Sequence, residues 1–518
     1  MKIKGPFPVY VLIFGLFPVF AMLAANIQEM VPGMAVRSLL AAVGVSIVLL
    51  AILSFVCRDL RKGGLLSALL LVLFFSYGHV YEELQAAGNF LSALGRHRYL
   101  IPAYLGMLLL GVWVISRRIK KTRKITRLLN IIGMLMLVFP AVQIVRYTID
   151  RIGSNQPSTS DVQTSILSVP DGELPPDVYY IILDSYTRAD ALKEVYGFDN
   201  SPFLDELKDM GFYVADCSQS NYAITLSCLG STLNLDYLDA LIPNLDPASV
   251  DVKPLWKLTR HSLVWDELKK IGYTRVAFET DFWWTSFDDA DLYFSAADIS
   301  YEMRFLNPFE VMLIRSTAAG IIVDAQMVMT RLKTDAASFA YGEHIYRERF
   351  KLEKLDEIAR LPGPKMVFAH IIVPHNPFIF RPNGDIETDV RYYQRHSFPI
   401  NQEFYVKGYV QQVQFINNRI LQILKSILAE SKTPPVIIIQ GDHGVQGSRM
   451  LILNAYYLPE GRENLYPSIS PVNSFRVVFN QYFGTDFPLL PDISYASNYE
   501  APYDFWIHEE KNPACRQP

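Results

Sequence analysis

The sequence predicts an α-helical transmembrane bundle of about five helices, followed by an extracytoplasmic α/β domain with a mostly parallel central sheet. Three observations predict it. Apolar residues are concentrated in the first 150 of 518 positions, in runs that approach the length needed to span a bilayer. Basic residues cluster between those runs on one side. From Pro176 onward, short apolar strands alternate with helical patterns, and two of the strands end in acids.

The apolar runs cover about Pro8–Asn26, Met34–Val56, Leu65–Val80, Tyr99–Ser116 and Leu128–Val145. The third is the shortest and also fits a partly re-entrant segment. Lys2 and Lys4 give the first the flank of a signal peptide, but the further apolar runs behind it favour a retained helix. Arg58, Arg61 and Lys62 lie between the second and third runs, and Arg117, Arg118, Lys120, Lys121, Arg123, Lys124 and Arg127 between the fourth and fifth. By the positive-inside rule both linkers are cytoplasmic, outvoting Arg96 and Arg98 in an opposite loop. An odd number of spans from a cytoplasmic N-terminus then puts everything after Tyr147 outside. A basic segment between two spans is a topology signal, and with a net charge of -4 no nucleic-acid partner is expected.

Residues 1–150 are therefore taken as the transmembrane domain and 151–175, rich in Ser, Pro, Asn, Gln and Asp, as a linker. Residues 176–518 form one large domain with room for a substantial core. Its strands are expected at Val178–Leu183, Gly211–Ala215, Thr274–Phe278, Met366–Val373 and Val436–Gln440. Helices are expected at Ser201–Met210, after Thr225, and over about Phe404–Glu430. There is no internal repeat. Of the four cysteines, Cys57 falls in a span and Cys515 in the tail. Cys217 and Cys228 are close enough in sequence to form a disulfide, though nothing forces it.

The chemistry concentrates at strand ends. Pro434-Pro435-Val436-Ile437-Ile438-Ile439-Gln440 runs straight into Gly441-Asp442-His443-Gly444, and Pro176-Asp177-Val178-Tyr179-Tyr180-Ile181-Ile182-Leu183 into Asp184-Ser185. Ligands of open α/β sheets bind beyond the carboxyl ends of the strands. If the two strands are parallel neighbours, Asp184, Asp442 and His443 converge, and such O/N ligands suit a divalent cation. Each acid alone could equally cap a following turn. Thr225 stands where a polar loop enters an apolar helix, so its hydroxyl would face a helix N-terminus that favours an anion. Next to a cation it would become a nucleophile; taken alone, it is an ordinary N-cap. Ser227 is the alternative nucleophile and Ser220 a weaker one.

A further apolar strand ends in Pro374-His375-Asn376-Pro377, which aims His375 at the same edge; His370, five residues earlier, reads equally as a substrate contact or a core histidine. His261, His344, His396 and His508 have no such context and are expected at the surface. Arg449 is a candidate anion contact, with a plain surface role the better expectation. Trp283 and Trp284 suit a sugar platform, but core or membrane-facing positions are favoured.

These motifs resemble the alkaline phosphatase and sulfatase superfamily, and most closely its membrane-anchored branch of lipoteichoic acid synthases and phosphoethanolamine transferases. The likeness rests on Asp184 ending the first strand, Thr225 at a helix start, Gly441-Asp442-His443-Gly444 and the His-x-Pro-Phe run at His375–Phe378, and it spans nearly the whole chain. It implies an alkaline phosphatase-like fold in which Asp184, Thr225, Asp442 and His443 bind one divalent metal, zinc or manganese. Thr225 would take up a phosphoryl-linked group from a membrane lipid donor and pass it to a glycan or lipid acceptor. His375 would contact the substrate anion or the leaving group. Cys228-Leu229-Gly230-Ser231-Thr232 departs from the formylglycine pattern of sulfatases, and the glycine- and threonine-rich loop of the transferases is absent. No full ligand set for a second metal is legible. A sulfatase-like ester hydrolase and a non-catalytic membrane scaffold are the alternative readings.

Overall fold

The computed structural model describes residues 5–27, 32–86, 94–154, 165–170, 174–296, 307–321, 336–389, 392, 402–445, 447–509 and 512–515. The chain forms two compact units. The first comprises 1–158, 304–343 and 388–400, and the second 159–303, 344–387 and 401–518. Of the described residues that the sequence-based boundary groups with 176–518, residues 307–321 fall in the first unit.

The first unit contains four helices long and apolar enough to cross a membrane, covering Pro32–Cys57, Leu60–Leu84, His97–Arg118 and Thr122–Ile149. A shorter apolar helix, Tyr10–Ala25, precedes them. Its 16 residues rise about 24 Å, less than the roughly 30 Å hydrocarbon core. The expected short segment is therefore the first, while the third runs the full length of Leu60–Ala86. Its helix continues through polar ends that a hydropathy reading trims away. Phe55, Leu109 and Phe139 project outward, as lipid-facing side chains do. At Asn307 the side chain accepts from the Glu310 backbone N–H and Glu310 returns the bond, so this capping box starts the Pro308–Arg315 helix within the same unit.

The second unit is built on a seven-stranded sheet of order β2-β7-β6-β1-β5-β3-β4. The strands are β1 Val178–Leu183, β2 Tyr213–Val214, β3 Thr274–Phe278, β4 Leu292–Phe294, β5 Lys365–Ile371, β6 Val436–Gln440 and β7 Asn454–Tyr457. β1 pairs in parallel with both β5 and β6, and β3 with β4 and β5; β2 and β7 add an antiparallel edge. Every residue of β1, β5 and β6 is buried, which is why they read as mainly apolar runs, with Lys365, His370 and Gln440 as the polar members, rather than as alternating ones. The register pairs Ile182 with Gln440, so Asp184 and Asp442 each lie two residues beyond a matched pair and reach the edge together.

The Gln402–Glu430 helix buries Tyr409, Val413, Ile416, Ile420, Ile423, Leu424 and Ile427, a stripe of helical period that defines its core face. Trp283 and Trp284 are buried in a short 3₁₀ turn, where Trp283 packs edge-on against Trp256. They are core residues, not a sugar platform. Part of the expected linker docks on this unit: Ser165 Oγ donates to Glu267 Oε2 at 2.6 Å and Ser168 N–H to the Phe483 carbonyl at 3.0 Å. Residues 155–164 and 171–173 of it lie outside the described residues.

The cysteine pairing differs from the sequence expectation. Cys217 bonds Cys515, 298 positions away, while Cys228 is a buried free thiol. Cys228 points inward from its helix, its Sγ 2.9 Å from the Tyr222 carbonyl, so proximity in sequence did not bring it to Cys217. Burial, with Asp442 nearby, pushes its thiol well above the ordinary range. Alkylation of the folded, unreduced protein is therefore expected to leave Cys217, Cys228 and Cys515 unmodified. Reduction should open Cys217 and Cys515 and cost about 2–4 kcal/mol of stability. Peptide mapping that found Cys228 labelled before reduction would contradict this placement.

Candidate active site

The site forms where β1 and β6 end. The ligand atoms of Asp184, Asp442 and His443 all lie within 4.8 Å of one another, and all three residues are buried. Gly441 and Gly444 make the turn possible. A Cβ on Gly441 would stand 2.5 Å from the Tyr186 carbonyl oxygen, and one on Gly444 2.3 Å from that of Ser448. The Gly-Asp-His-Gly motif is thus imposed by close backbone approach.

Neighbours fix each side chain. Ser185, in the left-handed region at φ 64°, donates its N–H to Asp442 Oδ1 at 3.0 Å and its hydroxyl to Asp184 Oδ1 at 3.0 Å. The other Asp184 oxygen faces His370 Nε2 at 3.2 Å, and His370 Nδ1 meets Thr285 Oγ1 at 3.1 Å. His370 is fully buried and acts on Asp184; of the two sequence readings, the core histidine is the one observed. His443 Nδ1 donates to the Gly444 carbonyl at 2.8 Å, which leaves Nε2 as the lone-pair nitrogen. That nitrogen lies 3.2 Å from Thr225 Oγ1 and 3.5 Å from Asp442 Oδ2.

Thr225 is the first residue of the Thr225–Thr232 helix, with Ile224 as N-cap, so its hydroxyl stands at the helix N-terminus beside the acids. Ser220 is committed elsewhere, its Oγ 2.5 Å from the Asp442 carbonyl and 2.7 Å from that of Tyr222. Ser227 Oγ is buried without a hydrogen-bond partner among the described residues, so it makes no hydrogen bond to the cluster there. Of the three hydroxyls singled out from sequence, Thr225 is the one facing His443.

The donor set fits a divalent cation. Asp442 Oδ2 is buried with no hydrogen-bond partner, an arrangement that costs about 1–3 kcal/mol unless something else takes its lone pairs. Burial alone would raise the Asp184 carboxyl, but His375, His370 and His443 override it and hold the group well below the usual range. Two acids, an imidazole Nε2 and a hydroxyl suit zinc or manganese.

His375 lies close enough to act electrostatically on Asp184, and its Nδ1 donates to the Asn376 carbonyl at 2.5 Å. Gln412, unread in the sequence, holds this turn: its amide donates to the His375 carbonyl at 2.9 Å and its oxygen accepts from Ile379 N–H at 2.8 Å. Tyr409 does the same for the turn after β1, donating to the Ser185 carbonyl at 2.8 Å and accepting from Thr187 N–H at 3.0 Å. Both sit on the buried face of a long amphipathic helix, where a polar residue among apolar ones was the available signal. Arg449 is half-buried rather than free at the surface. Its Nε donates to the Ala223 carbonyl at 2.6 Å, two residues before Thr225, and its Nη2 to Tyr499 Oη at 2.7 Å. His344 is buried, contrary to the surface expectation; His261 is exposed, His508 half-buried, and His396 lies outside the described residues.

No protein-family model matches the chain, and no curated protein matches it. Several solved structures do. The integral membrane protein lipooligosaccharide phosphoethanolamine transferase A from Neisseria meningitidis aligns over 91% of this chain and 95% of its own, at 12% identity and a TM-score of 0.41. The C-terminal periplasmic domain of EcEptC from Escherichia coli, in complex with Zn, covers 62% of this chain and 86% of its own, at 12% identity and a TM-score of 0.40. A putative sulfatase from Bacteroides thetaiotaomicron covers 58% of this chain and 68% of its own, at 12% identity and a TM-score of 0.34. These figures describe a distant likeness of fold. The chain itself combines four helices long and apolar enough to cross a membrane with a mostly parallel sheet whose strand ends bring Asp184, Asp442 and His443 together.

Proposed function

We propose that this protein is a metal-dependent transferase of the membrane surface. It moves a phosphoryl-linked group, of phosphoglycerol or phosphoethanolamine type, from a lipid donor to an extracytoplasmic glycan or lipid acceptor. The observation that carries the reading is the Thr225 hydroxyl at a helix N-terminus, 3.2 Å from the lone-pair nitrogen of His443 and beside the orphaned oxygen of Asp442. Asp184, Thr225, Asp442 and His443 would hold one zinc or manganese ion, which when bound supplies Lewis-acid polarisation and lowers the hydroxyl's pKa. Thr225 Oγ1, its proton released to water as the bound metal lowers its pKa, would attack phosphorus as the P–O bond to the lipid alcohol breaks, and His375 would contact that leaving group and supply its proton. The acceptor hydroxyl then attacks the phospho-threonine and releases Thr225. The helix N–H groups offer the phosphoryl oxygens a preformed anion site. Arg449 would contact the substrate at the rim, and His370 supports the reaction through Asp184.

The membrane helices tether this chemistry to a lipid surface. Basic residues at 58–62 and 117–127 support a cytoplasmic N-terminus and an extracytoplasmic catalytic unit. The Cys217–Cys515 disulfide supports that side, since such bonds persist in oxidising compartments. Cys228, buried in the middle of its helix and bonded to the Tyr222 carbonyl, is no formylglycine precursor, which counts against a sulfatase.

The test uses full-length protein in detergent, loaded with zinc or manganese and given a phospholipid labelled in its head group. Diacylglycerol release that depends on an added glycan or lipid acceptor, with acid-quenched protein carrying the label on Thr225, is the expected result. Label released only to water would make the enzyme a hydrolase. No turnover with any phospholipid would remove the lipid-donor reading.

A further inference from the structure

We infer that the catalytic unit holds a second divalent cation, in a site built by Asp281, His344 and Glu348 and sharing no residue with the first. Their ligand atoms lie within 4.8 Å of one another. His344 and Glu348 are four residues apart on the Ala336–Ile358 helix and so share one face, while Asp281 follows the C-terminal end of β3. One imidazole nitrogen and two carboxylates form a ligand set for zinc or manganese.

The independent observation is His344 itself. It is 6% exposed, and its Nε2 has no hydrogen-bond partner among the described residues. Its Nδ1 is paired with Asp281 Oδ2. Buried imidazoles almost always spend both nitrogens, so an unspent Nε2 on a ring held against one acid and near another points to a missing electrophile.

The neighbouring cations do not use up the acids. Arg347 takes Asp281 Oδ1 and also meets Glu279 Oε1 at 3.4 Å; Lys351 takes Glu348 Oε1 at 2.8 Å. Glu348 Oε2 accepts from Ile372 N–H at 3.0 Å and keeps a second lone pair. Among the described residues, the three carboxylates Glu279, Asp281 and Glu348 are faced by the two fixed cations Arg347 and Lys351 and by the His344 ring.

The site also has a role in the fold. Glu348 holds the Ile372 amide and Lys351 donates to the His370 carbonyl at 2.6 Å, so the cluster grips the end of β5 between His370 and His375. Thr285, which bonds His370, is linked to Thr280 at 2.7 Å, one residue before Asp281. A cation here would brace the strand end that supports Asp184.

The experiment is elemental analysis of full-length protein in detergent, stripped with chelator, refilled with zinc or manganese and desalted. Two equivalents per chain are expected in the wild type, one in Asp442→Ala, one in His344→Ala and none in the double variant. A second readout is thermal: added metal should still raise the Tm of Asp442→Ala, and should no longer do so once His344→Ala is combined with it. If His344→Ala does not fold, Glu348→Gln, which keeps the side-chain shape, replaces it. A single wild-type equivalent that disappears in Asp442→Ala, with no metal-dependent Tm shift left in that variant, overturns the second site. A single equivalent that survives Asp442→Ala and is lost in His344→Ala would overturn the first site and leave this one standing.

Discussion

Thr225→Ala is expected to abolish turnover, by on the order of 10⁴-fold or more in kcat, the scale on which enzymes lose activity when their nucleophile is removed. Binding of the first metal should survive, because Asp184, Asp442 and His443 keep their places without the hydroxyl. Thr225 is buried at the first position of its helix and Ile224 supplies the cap, so the stability cost should be only about 1 kcal/mol. Thr225→Ser should restore a large part of the rate, since it returns an oxygen to the same helix end. Ser227→Ala is the paired control and should leave kcat within a few-fold, because Ser227 Oγ makes no hydrogen bond to the cluster among the described residues. The reverse pattern, with Ser227→Ala inactive and Thr225→Ala active, would move the nucleophile two residues along the helix. Steady-state kinetics and metal content measured on the same samples decide between them.

Asp442→Asn should separate stability from function in the opposite direction. In the metal-free protein the Asp442 carboxylate is buried, has one oxygen without a partner and lies against Asp184. An asparagine keeps the acceptor for Ser185 N–H and puts an amide N–H₂ where Oδ2 stood, 3.5 Å from the lone-pair nitrogen of His443. The apo-protein should therefore gain about 1–3 kcal/mol, the cost of an unsatisfied buried polar group. The stabilisation conferred by the first metal, and all turnover, should be lost. Chemical denaturation with and without chelator measures both. Asp184 carries the contrary expectation. Its folded carboxyl is held below the ordinary value, so its contribution is present above the unfolded pKa of about 3.9 and is lost as pH falls toward the folded one. Asp184→Asn should weaken the apo-protein and flatten that acid loss. An apo Asp442→Asn protein less stable than wild type would show that Oδ2 has a partner the geometry does not reveal.

How much could be read from the chain follows from how local each signal was. β6 occupies Val436–Gln440 and β1 Val178–Leu183, residue for residue as the apolar runs indicate. Strands buried on both faces must be apolar throughout, and Pro176, Pro434 and Pro435 mark where they begin. Gly441-Asp442-His443-Gly444 was legible because the backbone crowding that demands its glycines is itself written in sequence. The third membrane helix was trimmed because hydropathy reports apolar side chains, while helical hydrogen bonding continues through Arg61, Lys62 and the polar turn after Val80.

Sequence by itself determined the membrane helices, the parallel sheet and the acids and imidazole at its edge, since each depends on residue type and near-neighbour spacing. Tertiary structure alone decided the rest. It set Thr225 against His443, joined the buried His370 to Asp184, paired Cys217 with Cys515 and set His344 against Asp281 and Glu348. Each of those outcomes joins residues far apart in the chain, and only the register of parallel strands and the helices packed across them brings such residues together.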